Sequence, residues 1–92
     1  MTKGKTKKVD RVKLILDELG IKPLESWYTI HYSKGNPDKC YYHMFKLNNK
    51  CYCASGDSSS LIFSDEEDNY FYQGYSDKVL KDAIKGVMKK YE

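Results

Sequence analysis

Ninety-two residues, 40 % hydrophobic and 32 % charged, suffice for one globular domain with a single modest core and exclude a chain disordered throughout. No apolar run approaches the roughly 18 residues of a membrane span. The run Leu14-Ile15-Leu16 is also too short for a secretory leader, which predicts a cytoplasmic protein without membrane contact.

The formal net charge of +3 conceals three blocks. Residues 1–13 carry Lys3, Lys5, Lys7, Lys8, Arg11 and Lys13 against the single acid Asp10, and residues 1–8 read as a flexible basic tail. Asp65-Glu66-Glu67-Asp68 is wholly acidic, and the last seventeen residues are basic again. Residues 9–92 form the domain proper.

Val9, Val12, Ile15, Leu16 and Leu19 recur at helical spacing within an arc of about 120°, an ordinary core-facing stripe. Gly20 followed by Ile21 and Pro23 ends that helix. Glycine takes the left-handed position after the last turn, Ile21 folds back onto Leu16, and proline prevents continuation. Leu14 falls outside the stripe.

Strands follow. Trp27–Tyr32 is aromatic and β-branched without helical period, and residues 34–38 carry loop chemistry. Cys40–Leu47 and Lys50–Ala54 flank Asn48-Asn49, which fits a two-residue hairpin turn because asparagine tolerates positive φ. In that register Leu47 opposes Lys50. One face then presents Tyr41, His43, Phe45, Leu47, Tyr52 and Ala54; the other presents Cys40, Tyr42, Met44, Cys51 and Cys53. The first face carries more volume and is the expected core. Leu61–Ser64 and Tyr70–Gln73 suit a second hairpin around the acidic block, with a short helical turn after Ser64 as the rival.

The last helix is the clearest element. Ser76 suits the amino-terminal cap and Asp77 the positive end of the helix dipole. Leu80, Ala83, Ile84, Val87, Met88 and Tyr91 trace one apolar face, with Lys78, Lys81, Lys85 and Lys89 nearly opposite. The predicted fold is α+β: an antiparallel sheet of three to five strands between two terminal helices.

The chemistry-bearing residues argue mostly by exclusion. Cys51-x-Cys53 in a strand separates its sulfurs by about 6.7 Å, and Cys40 would lie roughly 13 Å from Cys53, so neither structural zinc nor a Cys40–Cys53 disulfide suits this spacing. Three buried free thiols, no metal and no cofactor are expected. There is no phosphate loop, nucleophile elbow or His-Glu-x-x-His, and His31 and His43 read as structural histidines within strands. A non-catalytic binding domain remains.

Helix–strands–helix order from Val9 to Tyr91 resembles the double-stranded-RNA-binding domain in its sequence of elements. The resemblance implies phosphate contacts at the start of the last helix, where Lys78 and Lys81 are the nearest matches. The family's Lys-Lys-x-Ala-Lys run is missing, and residues 57–75 would be an insertion. Charge points the same way. Lys3, Lys5, Lys7 and Lys8 of the tail, with Lys78, Lys81, Lys85 and Lys89 of the helix, would bind a nucleic-acid backbone, RNA or DNA. The alternative is a protein-binding module, an inhibitor or adaptor of the kind phages and mobile elements carry. It would use the tyrosine-rich sheet and the Asp65, Glu66, Glu67, Asp68 loop with Tyr70 and Phe71; nine tyrosines supply large contact areas with polar tips. An exposed lysine ridge, neither packed inward nor neutralised by carboxylates, separates the two readings.

Overall fold

A computed structural model describes residues 10–33 and 35–90. Helix α1 (Arg11–Leu19) starts where the Asp10 side chain accepts the Lys13 N–H at 3.0 Å. It stops as the sequence predicts. Gly20 takes φ +74°, its N–H bonds Asp17 O at 3.1 Å, and Ile21 N–H bonds Leu16 O at 2.9 Å, a Schellman closure. Five antiparallel strands follow in simple order: β1 (Glu25–Ser33), β2 (Asn36–Leu47), β3 (Lys50–Gly56), β4 (Leu61–Asp65) and β5 (Tyr70–Gly74). Helix α2 (Asp77–Lys90) closes the domain, capped by Ser76 Oγ accepting Val79 N–H at 3.2 Å. Val9, Tyr91 and the tail lysines lie outside the described residues.

The β2–β3 register is the expected one, with Leu47 opposite Lys50 and Phe45 opposite Tyr52. Asn48 and Asn49 both adopt positive φ, 52° and 69°, which fits strand twist. Residues 61–74 form a hairpin rather than a helical turn. They place the stretch that would be an insertion relative to the RNA-binding domain inside the sheet, as strands β4 and β5. A bulge between Phe63/Ser64 and β5 sets two successive aromatics against the core. Phe71 packs on Phe63 and Tyr52 at ring distances of 5.2 and 5.8 Å, while Tyr72 also borders the buried cluster.

Both helices lie on one face of the sheet. Val12, Ile15 and Leu16 of α1 and Leu80 and Ile84 of α2 seal Phe45, Tyr52, Ala54, Leu61 and Phe63 beneath them. Cys40, Tyr42, Met44, Cys51 and Cys53 face away and are half-buried, covered by no helix among the described residues. The three free thiols are therefore less enclosed than expected, because no helix among the described residues covers the second sheet face.

The other departure is at the first hairpin. Asn36, Pro37 and Asp38 carry loop chemistry yet continue β2, which already pairs with β1 at Ser33↔Asn36, just after Gly35 at φ +81°. Proline is tolerated there because β2 has only β1 beside it at that point. The pairs Thr29↔Cys40 to Ser33↔Asn36 lie beyond Tyr41↔Gly56, the last β2–β3 pair. The hairpin thus extends past β3 as a two-stranded arm.

Candidate protein-interaction surface

A strand that begins a meander has a neighbour on one side only, and β1 is that strand. Its outer row of N–H and C=O groups has no partner strand among the described residues. The side chains on it and immediately before it are unusual for such an edge. Leu24, Trp27, Tyr28, Ile30 and Tyr32 are 64, 42, 52, 52 and 71 % exposed, half of the large exposed hydrophobics among the described residues. Glu25 is the only carboxylate in β1 and no lysine or arginine occurs there. Exposed edges are ordinarily blunted by lysine, proline, bulges or brevity. β1 has nine residues and none of these devices.

Ring contacts brace the root of the arm, where β2 also pairs with β3. Trp27 stacks on Tyr42, rings 5.4 Å apart and nearly parallel, and Tyr28 packs on Tyr41 at 6.0 Å with Lys39 Nζ 4.6 Å above the Tyr28 ring. At the arm's base, Ser26 Oγ and His43 Nδ1 are 2.7 Å apart, and His43 Nε2 meets Asp10 Oδ2 at 2.7 Å. The carboxylate can only accept, so His43 carries its proton at Nε2, and Nδ1 accepts from Ser26 when the ring is neutral. Serine, histidine and aspartate in series also compose nucleophilic triads. Here the carboxylate caps α1 and His43 is 4 % exposed on the packed face, so the series ties a helix to the sheet.

Beside the arm, His31 Nε2 approaches Asp57 Oδ2 at 3.3 Å. His31, Asp38 and Asp57 bring one donor atom each within 4.8 Å of one another. Both carboxylates are held by the β3–β4 loop. Ser58 donates to Asp38 at 2.7 Å, and Ser59 and Ser60 donate backbone and hydroxyl protons to Asp57 Oδ1. Burial alone would raise the Asp57 pKa, but those serine bonds outweigh it and hold it below the usual value. Burial pushes the Cys40 and Cys53 thiols up, leaving both poorly nucleophilic.

The lysine ridge of α2 is divided. Lys78 pairs with Asp82 at 3.1 Å, and Lys81, half-buried, pairs with Glu18 of α1 at 2.8 Å. Lys85 and Lys89 are exposed and flank a groove of about 400 Å³ whose apolar floor includes Leu19 and Met88. Lys3, Lys5, Lys7 and Lys8 lie outside the described residues. The acidic block is divided too. Asp65 is buried and organises its own turn, accepting Glu67 N–H, Asn69 N–H and Asn69 Nδ2, with Lys50 Nζ 3.4 Å away. Phe71 packs on the aromatic cluster while staying partly exposed, and Glu66, Glu67, Asp68 and Tyr70 stand at the surface.

Sequence reasoning recognises 27–32 as a strand but does not single out its edge as a site. The signal is there: the first strand of a meander has one neighbour, and this one is aromatic with a single carboxylate. Comparison with protein-family models, curated proteins and solved structures finds no match to this chain.

Proposed function

We propose that the chain is a non-catalytic protein-binding module whose contact surface is the outer edge of β1 and the arm it forms with β2. One observation carries this reading: four large hydrophobic side chains of β1, with Leu24 just before it, are exposed along an edge strand that no other strand covers among the described residues. Such a strand receives an extended segment of another protein through main-chain hydrogen bonds, while alternate side chains supply specificity. The ion pairs of Lys78 and Lys81 favour this over a polyanion reading, since they neutralise half of the helical ridge and leave only Lys85 and Lys89 without a carboxylate among the described residues.

The test is selection of random dodecapeptides on protein immobilised sparsely, so that copies do not meet. Wild type should enrich peptides alternating aromatic and β-branched residues, with amide chemical-shift changes centred on residues 25–33. The double variant Tyr28→Asp, Ile30→Asp should enrich none, and Glu66→Lys with Glu67→Lys should behave as wild type. A parallel titration with duplex RNA and DNA at two salt concentrations tests the polyanion reading. Tight, salt-sensitive binding lost on Lys85→Glu with Lys89→Glu, alongside no peptide enrichment, would reverse the assignment.

A further inference from the structure

The composition of β1 also indicates which strand would occupy its edge. Antiparallel pairing with a second copy about a two-fold axis through Thr29 sets Trp27 opposite His31, Tyr28 opposite Ile30 and Thr29 opposite itself. Aromatic–aromatic, aromatic–β-branched and Thr–Thr pairs are the cross-strand combinations that stabilise sheets. The two Glu25 carboxylates would stand about 27 Å apart, so no like charges meet. We infer that β1 pairs with β1 of a second copy of this chain, joining two five-stranded sheets into one of ten strands. This inference rests on the protein-binding reading and names its partner.

The area suits a reversible association. Applying the exposed fractions of Trp27, Tyr28, Ile30 and Tyr32 to side chains of roughly 150–250 Å² gives roughly 400 Å² per protomer. Two such patches plus the strand backbones reach about 1,000 Å², the lower end of specific interfaces. The pairing is therefore weak, with dissociation on the order of micromolar. Thr29 is exposed, and the two copies of its Cα would lie about 5 Å apart, within disulfide reach.

Sedimentation velocity of the full chain from a few to several hundred micromolar reads the association directly. The mass should rise from 10.8 kDa towards twice that value with concentration. Thr29→Lys, which sets two ammonium groups face to face on the axis, should remain monomeric at least tenfold higher in concentration while keeping its circular dichroism. With Cys40, Cys51 and Cys53 replaced by serine, Thr29→Cys should form a covalent dimer on mild oxidation and Glu25→Cys should not. The cross-linking stands independently if Thr29→Lys fails to fold. Wild type that stays monomeric throughout but still enriches strand-forming peptides overturns the second copy as occupant and leaves the module reading intact. Monomer without peptide enrichment overturns both. A dimer indifferent to Thr29→Lys and uncross-linked by Thr29→Cys overturns this interface.

Discussion

Asp10 and His43 meet across the junction of α1 and the sheet, with carboxylate Oδ2 2.7 Å from imidazole Nε2. The other Asp10 oxygen caps the helix, so one side chain serves the first turn of α1 and the buried histidine together. Asp10→Ala removes a cap worth about 1 kcal/mol and leaves a buried ring N–H unpaired at a further cost of about 1–3 kcal/mol. Urea denaturation should show a total loss of about 2–3 kcal/mol. Asp10→Ser, which keeps only the cap, should recover about 1 kcal/mol.

Arg11 makes the neighbouring junction. Its guanidinium donates to Asp77 Oδ1 at 2.8 Å, to Tyr75 O at 2.7 Å and to Asp57 O at 3.3 Å, gathering α1, the β3–β4 loop and the start of α2. A lysine ammonium cannot span those three acceptors with a rigid fork. Arg11→Ala should lower stability by about 1–2 kcal/mol, and Arg11→Lys should restore less than half of it. Thermal melts will register the alanine change as a drop of roughly 4–16 °C for a domain of this size.

Two glycines should respond with opposite sign. A Cβ on Gly56 would stand 2.5 Å from Leu61 Cδ2 and 3.2 Å from Val12 Cγ2, both side chains being fully buried. Gly56→Ala should cost about 1–3 kcal/mol through overpacking. Gly86 is exposed in the middle of α2, its φ is not positive, and a Cβ there would meet nothing within 4 Å. Gly86→Ala should gain about 0.5–1 kcal/mol from helix propensity alone. Paired chemical denaturation curves check both.

These contrasts mark what the sequence could disclose. Periodicity placed Val12, Ile15, Leu16, Leu80 and Ile84 on buried faces, and the Asn48-Asn49 turn set the β2–β3 register, because both depend on local chemistry. The long-range partners of Asp10, Arg11 and Asp65 were not legible. Asp10 and Arg11 read as members of a charged block, since charge along a chain does not say which distant acceptor a side chain will reach. Nor could it separate the paired lysines 78 and 81 from Lys85 and Lys89, which differ through the position of Glu18 on another helix and of Asp82 on the same one. The exposed β1 edge follows from strand order, a property of the assembled sheet rather than of residues 25–33 alone.

The β4–β5 turn predicts a specific acid response. Bonds from the Asn69 side chain and backbone, joined by Glu67 N–H and Lys50, hold the Asp65 pKa down to about 2. The unfolded chain titrates this carboxyl near about 3.9. Between those values the unfolded state binds more protons than the folded one, so the stabilisation is whole above about pH 4 and disappears as pH falls towards 2. Asp65→Asn keeps an acceptor for the two backbone N–H groups but sets an amide N–H₂ against Asn69 Nδ2 and Lys50. The variant should therefore be less stable than wild type at pH 7, and its stability should fall less steeply below pH 4. The two denaturation midpoints should converge as the pH approaches 2. Asp57, also held below its usual value, leaves a residual slope in both proteins. Midpoints separated by a constant interval from pH 7 to pH 2 would show that Asp65 contributes through shape rather than through its charge.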